Sequence, residues 1–517
     1  MDTFLILLSL AGSAALYLLL RLLLLLLPSR SDRELPPGPP SIPILGNLLW
    51  LRRPVSNFEH YLLKELHSQY GPIITVRIGS RRSIFISDRS LAHKALVQLG
   101  AAFADRPPPL PASRLLSSNQ HNITAGSYGP MWRLFRRNLA SEILHPSKVR
   151  LFSPGREWVL DALFRDLKSQ SLESPDAAVT AIESFQFAMF CLLVLMCFGE
   201  KLDEKKIREI ETAQREYLQY FSKLGVFAFL PSVSMYVFRS RWKTMVRLRQ
   251  RQADLFVPLI RIRKAHKENK REEKDERFVH SYVDSLLDLT LEEEGGRALT
   301  EDEIVTLCSE FFTGGTDTTA TALQWIMAEL VKNQGAQEKV FEDIETLVGK
   351  NKAEKILEED LQRMPYLKAV IKEGLRRHPP AHIVIPHSVT ADIEFEGYLI
   401  PRNATVNFLV TEMNWDERAW EEPKKFKPER FMTGGDGEGV DMTGSREIKM
   451  MPFGVGRRIC PGLGLAMLHL EYFVANLVKE FKWETVAGEE VDLSEKPEFT
   501  LVMKNPLRAQ LTPRMKA

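Results

Sequence analysis

The chain has 517 residues, 44% hydrophobic and 26% charged, an ordinary globular mixture that excludes disordered, collagen-like and coiled-coil chains. Its 69 basic residues against 67 acidic ones leave a net charge of +2, so the composition makes no electrostatic case for a nucleic-acid partner. Four cysteines without a C-x-x-C pair exclude a disulfide scaffold and argue against structural zinc.

Residues 3–27 are apolar apart from Ser9, Ser13 and Arg21. As a helix, the stretch 3–20 rises about 27 Å, close to the hydrocarbon thickness of a bilayer. A cleaved signal peptide would carry a shorter apolar run behind positive charge; here Asp2 precedes the run and residues 22–27 extend it. Arg21 can snorkel to the headgroups, and Arg30, Arg33, Arg52 and Arg53 follow, which places the remaining chain in the cytosol. This predicts a transmembrane anchor over 3–27. Five prolines between Pro36 and Pro43, with Gly38 and Gly46, stop that helix and predict a stiff extended hinge over 28–46.

Beyond the hinge, Ile73, Ile74, Val76 and Ile78 predict a β-hairpin with residues 83–86 across Gly79-Ser80. Helical spacing predicts helices over 158–167, 185–198, 207–224, 246–267, 279–289, 302–332, 336–348 and 366–377, with Pro258 expected to kink or split the fourth. Short strands return within 383–409. The charge-rich stretch 261–277 reads as a solvated helix end and loop. Residues 434–439 form a glycine-rich surface loop without the Lys-Ser/Thr of a P-loop. Asn122-Ile123-Thr124 spells a glycosylation sequon that a cytosolic body would leave unused. The expected fold is mainly α with small β-sheets.

The segment most informative about chemistry is Phe453-Gly454-Val455-Gly456-Arg457-Arg458-Ile459-Cys460-Pro461-Gly462. A lone Cys flanked by glycines, on a loop opening an apolar helix, suits a thiolate ligand to iron, because free N–H groups and the helix N-terminus stabilise its charge. Alone, Cys460 reads rather as a buried Cys in a tight turn. With Phe453, Gly456, Arg458 and Gly462 at their offsets, the segment resembles the haem-binding signature F-x-x-G-x-R-x-C-x-G of the cytochrome P450 family, matching every fixed position.

Other motifs extend the resemblance. Gly314-Gly315-Thr316-Asp317-Thr318-Thr319 lies inside an apolar helical pattern, where paired glycines and hydroxyls weaken the hydrogen-bond ladder. The result is either a groove that could admit dioxygen or a plain kink. The pair resembles the family's acid-alcohol relay, in which Thr318 would hydrogen-bond dioxygen and Asp317 would help deliver protons. The family more often has Ala at the Gly314 position. Glu373 and Arg376 share a helix face and can pair; they resemble the E-x-x-R motif completed by Arg430, a structural network fixing the Cys-loop core. Trp132 and Arg136 match W-x-x-x-R, which would bind a haem propionate. Arg458 and His387 are further propionate candidates, since a buried carboxylate requires charge-assisted donors; His387 reads equally as a core histidine.

The resemblance covers essentially the whole chain, and residues 118–123, 322–327 and 448–454 look closest to plant family eighty-nine. It implies a single cytochrome P450-type catalytic domain over 47–517, haem b with Cys460 as the axial iron ligand, and insertion of one atom of O2 into an organic substrate. No dinucleotide or flavin fingerprint follows a strand, so electrons would come from elsewhere; the resemblance implies an NADPH-cytochrome reductase on the same membrane. Arg133, Arg136, Arg137 and Arg457 could dock it. The implied location is the endoplasmic reticulum membrane, single-pass in membrane lipid, with the catalytic domain cytosolic. Expected pocket segments (107–127, 225–229, 311–315, 381–385 and 499–503) carry few fixed charges, so the substrate is expected to be a largely apolar small molecule. Competing readings are a haem-thiolate isomerase or dehydratase, against which Asp317-Thr318 speaks, and a haem-binding sensor without turnover.

Overall fold

A computed structural model describes residues 34–42, 46–47, 63–78, 81–228, 231–269, 279–348, 355–402 and 404–514, together with Tyr17. The expected anchor apart from Tyr17, residues 28–33 and 43–45 of the hinge, the Gly79-Ser80 turn, Phe229 and residues 270–277 lie outside the described residues.

The hairpin forms as its alternation predicts: β1 (Ile73–Ile78) pairs antiparallel with β2 (Arg81–Ile86), Ile73 opposite Ile86. The other edge of β2 takes β3 (Thr405–Phe408) in parallel, Ser83 opposite Thr405. The described part of the proline-rich segment is bonded to this sheet. Thr75 N–H donates to the Pro37 carbonyl at 2.8 Å, and Asn47 Nδ2 to that of Pro40 at 2.9 Å. A Cβ on Gly38 would stand 1.9 Å from the Thr75 oxygen, so only glycine permits this approach.

The longer helices, in chain order, are α1 (Pro130–Asn138), α2 (Ser153–Glu173), α3 (Ala181–Phe198), α4 (Glu204–Phe221), α5 (Arg239–Asn269), α6 (Glu301–Gly315), α7 (Asp317–Lys332), α8 (Gln334–Val348), α9 (Pro365–Arg377) and α10 (Leu463–Glu480). Helix α1 was not among the expected elements, although Pro130 at its first position is a start signal. Of the kink or split expected at Pro258, the split does not occur, for α5 runs through it. Proline there removes one donor, toward the Asp254 carbonyl, while buried Phe256, Leu259 and Ile260 hold both flanks in the core. The helix expected over 302–332 instead breaks at Thr316 (φ −81°, ψ −72°). A capping box starts α6: Glu303 N–H donates to Thr300 Oγ1, and Thr300 N–H to the Glu303 carboxylate at 2.7 Å.

Helix α3 is long and apolar enough to cross a membrane, yet it is a core helix, with Met189, Leu192, Leu193 and Cys197 all buried. It lies in one large apolar cluster with α2, α6, α7, α9 and α10. A second cluster gathers β1, β2 and β3 residues with Leu96, Phe103 and Val455. Phe453 packs against the first cluster and Val455 inside the second, so the loop carrying Cys460 sits where the two cores meet.

Candidate active site

Two left-handed glycines shape the Cys460 loop, Gly454 (φ 67°) and Gly456 (φ 78°). At Gly456 a side chain has no room: its Cβ would lie 2.0 Å from the Leu96 carbonyl oxygen. Cys460 N–H donates to the Phe453 carbonyl at 2.8 Å and closes the loop. Gly462 caps α10 and directs its N–H at the Cys460 sulfur. Burial pushes the Cys460 thiol up, while that N–H and the Arg136 cation pull it down. Cys191, Cys197 and Cys308 are buried in the core, so among the cysteines only Cys460 keeps an accessible face. A metal bound there would hold the sulfur as thiolate outright.

Beside the loop, basic side chains converge. Arg136 donates to the Ile459 carbonyl at 2.6 Å. Arg458 donates to the carbonyls of Ala104 (2.7 Å), Ile123 (3.1 Å) and Gly126 (2.6 Å), and its guanidinium lies 4.3 Å from the centre of the Trp132 ring. Trp132 in turn donates from Nε1 to the Ile123 carbonyl at 3.0 Å. His387 Nδ1 meets the Phe103 carbonyl at 2.7 Å. The structure adds Arg106, which sequence reasoning missed. It donates to the carbonyls of Thr124 (2.7 Å), Ile385 and Pro386 (both 2.9 Å).

Among the described residues, none of these arginines has a carboxylate in ion-pair contact. Burial and the neighbouring Arg458 hold Arg106 down to about 9; burial, with Arg136 adding to it, holds Arg458 at about 10 against Asp105. Burial and Arg106 hold His387 at about 3, against its hydrogen bond to Phe103. A cluster of cations depressed by burial and by one another is completed by an anion. The two carboxylates of a haem meet that requirement.

The Gly314 region lies where α6 ends and α7 begins. A Cβ on Gly314 would meet nothing within 4 Å, and Gly314 is exposed inside helices that are otherwise mostly buried. Thr318 Oγ1 donates to the Gly314 carbonyl at 2.7 Å, which occupies the backbone acceptor where the helix breaks. Asp317 faces away into a polar chain. Gln186 Nε2 donates to its Oδ1 at 3.1 Å, Arg215 donates to Gln186 Oε1 at 2.9 Å, and Arg215 also donates to Glu211 at 3.1 Å. Burial raises the Asp317 carboxyl, against Arg215 and Gln186.

Glu373, Arg376 and Arg430 form one buried knot. Arg376 grips both Glu373 oxygens (2.7 and 2.9 Å) and Arg430 reaches the carboxylate at 3.1 Å. Arg376 also donates to the Asn414 carbonyl at 2.9 Å, and Asn414 Oδ1 accepts from Met451 N–H at 3.0 Å, two residues before Phe453. The knot is therefore tied to the Cys loop through one asparagine. Of the residues expected to dock a reductase, Arg133, Arg137 and Arg457 are exposed while Arg136 turns inward to Ile459. Asn122 of the sequon is buried and bonded to Glu310.

Comparison with known proteins gives the family and the fold. Residues 36–513 match the family model described as cytochrome P450. The chain is 49% identical over 496 residues to "Cytochrome P450 89A9" of Arabidopsis thaliana, covering 94% of this chain and 95% of that one. It is 31% identical over 495 residues to "Flavonoid 3'-monooxygenase" of the same plant, covering 94% and 92%. A solved structure of a zebra fish cytochrome P450 with progesterone superposes with a TM-score of 0.71 at 23% identity, covering 88% of this chain and 99% of that chain, a likeness of fold.

Proposed function

The chain belongs to the cytochrome P450 family, as a plant member of family eighty-nine, and from that premise we propose that it is a membrane-anchored haem-thiolate monooxygenase that inserts one atom of dioxygen into a largely apolar small molecule. The observation that carries the reading is the convergence of Arg106, Arg136 and Arg458 beside the single accessible cysteine on its glycine-shaped loop. In this family the cofactor is haem with a cysteine thiolate as axial ligand, and the reaction needs O2, a small-molecule substrate and a redox partner.

Cys460 is the axial ligand in this reading, with Phe453, Gly456 and Gly462 shaping its loop. Arg106, Arg136 and Arg458 hold the propionates, with Trp132 packed against the Arg458 guanidinium and His387 beside Arg106 completing the cofactor-binding cradle. The bound haem supplies the reductive activation of dioxygen. Thr318 keeps a proton on Oγ1, held toward the Gly314 carbonyl at 2.7 Å, and offers it to the oxygen substrate over the groove. Asp317, with its carboxyl raised by burial, returns that proton, and the Gln186–Arg215–Glu211 chain connects it outward. Glu373, Arg376 and Arg430 act structurally.

Residues 3–27 serve as a single-pass anchor in the endoplasmic reticulum membrane, 28–46 as the hinge, and 47–517 as one cytosolic catalytic domain. The apolar run and the arginines that follow it support this arrangement. Electrons come from an NADPH-cytochrome reductase, for which exposed Arg133, Arg137 and Arg457 offer a basic face. The test is reconstitution with NADPH and such a reductase, comparing wild type with Thr318→Ala. The variant should keep consuming NADPH while releasing more hydrogen peroxide per NADPH. An unchanged ratio contradicts the role of Thr318, and wild type without NADPH-dependent oxygen uptake favours a haem-thiolate isomerase.

A further inference from the structure

Glu310 has no part in the chemistry described so far, yet it holds the loop on which the cationic cradle depends. It lies on α6 one turn before Gly314, and it accepts from Asn122 Nδ2 at 3.1 Å, from Ile123 N–H at 2.9 Å and from Thr124 N–H. The carbonyls of the same loop orient the cradle: Ile123 takes Trp132 Nε1 and Arg458 Nη1, Thr124 takes Arg106 Nε, and Gly126 takes Arg458 Nη2. Each donor to Glu310 is thus within two residues of a carbonyl that aims an arginine.

The loop does not reach this shape unaided. Ser118, Asn119 and Gln120 stand in succession at positive φ (45°, 60° and 71°), a left-handed run that non-glycine residues adopt only when surrounding contacts impose it. Those contacts also come from α6. Ser118 Oγ meets Asp302 Oδ2 at 2.8 Å and Thr306 Oγ1 at 2.7 Å, and His121 Nδ1 meets Glu303 Oε1. Asp302, Glu303 and Thr306 hold residues 118–121, whereas Glu310 alone among these holds residues 122–124. Removing Glu310 therefore releases the part of the loop next to the cradle while the upper attachments persist.

We propose that Glu310 is a positioning residue for the cofactor: by fixing residues 122–124 it aims Arg106 and Arg458 at the haem carboxylates. The helix that carries the oxygen groove thereby also sets the propionate donors. This inference rests on the haem-thiolate reading above.

The experiment uses full-length, haem-loaded protein as wild type, Glu310→Ala, Glu310→Gln, Arg106→Ala and the double variant Glu310→Ala/Arg106→Ala. Transfer of haem to excess apomyoglobin is timed, and the propionate bending band is read by resonance Raman. Glu310→Ala should lose haem roughly tenfold faster, the scale of one buried charge-assisted hydrogen bond. Its propionate band should shift while the thiolate carbon monoxide band stays in place. Glu310→Gln, which keeps one carbonyl oxygen, should fall between. The double variant should transfer haem more slowly than the product of the single effects predicts, because both changes disable the same arginine. Multiplying effects, or a propionate band unmoved in both Glu310 variants, overturns the proposal. Should Glu310→Ala fail to fold, Glu310→Gln decides alone, and a wild-type transfer rate with an unmoved band overturns it. Wild type that takes up no haem refutes the underlying reading instead.

Discussion

Gly456→Ala is the substitution whose effect follows most directly from the structure. The new Cβ would sit 2.0 Å from the Leu96 carbonyl oxygen and 2.9 Å from its carbon. An unstrained non-bonded contact needs about 3.5 Å, so loop and Leu96 turn must part by roughly 1.5 Å. Neither side yields readily, since Leu96 and the adjoining Val455 are both buried. The φ of 78° adds about 1–2 kcal/mol for a residue with a side chain, and overpacking adds about 1–3 kcal/mol. The expected loss is about 2–5 kcal/mol, spent on the loop that positions Cys460. Urea unfolding of haem-loaded protein, followed by Soret absorbance, should show a lower midpoint, and part of the thiolate carbon monoxide band should disappear. Wild-type behaviour in both measurements would refute the claim that backbone contact with Leu96 fixes this loop.

Gly314→Ala is the matched contrast: its Cβ meets nothing within 4 Å, and alanine favours a helix by about 1 kcal/mol, so the unfolding midpoint should hold or rise. A clear loss of stability there would contradict the open groove. Glu373→Gln leaves the fully buried Arg376 without its counter-charge, while Arg430 keeps Asp436 at 3.0 Å; thermal unfolding should show a loss of about 3–5 kcal/mol, and a change below about 1 kcal/mol would contradict the knot. Burial raises Glu303, but hydrogen bonds from Arg297, Thr300 and His121 outweigh it and hold the carboxyl at about 2. Its folded value lies below its unfolded one, so it stabilises the protein above about pH 4.5 and that contribution is lost as pH falls toward 2. Acid unfolding of Glu303→Gln should be flatter across that window, and an unchanged acid limb would count against the attachment of residues 118–121.

What was legible in the sequence was what local geometry dictates. The Cys loop could be read because Gly456 answers to a positive φ and a backbone approach that no other residue allows, and that requirement travels with a fixed offset. Glu373 and Arg376 were legible because helical spacing alone places them together. Arg106 was not, because its partners are carbonyls of Thr124, Ile385 and Pro386, as far as 280 positions away, and backbone acceptors leave no mark in a sequence. A signal was present nonetheless: Arg106 follows the mostly apolar stretch 101–104, a setting that an unpaired cation avoids. Glu310 was hidden in the same way inside the apolar pattern of α6. At Pro258 the split was not to be read from the sequence, because the lost donor and the ring's crowding of the preceding turn are local, while core packing on both sides of the ring decides whether the helix continues.

The central claim is that Cys460 is the thiolate ligand of a bound haem. The carbon monoxide difference spectrum of the reduced protein, wild type beside Cys460→Ser, tests it most directly. Wild type should show the long-wavelength thiolate band, and the variant should lose it. Folded, haem-loaded wild type without that band, or a variant that retains it, would contradict the ligand assignment and the monooxygenase mechanism built on it.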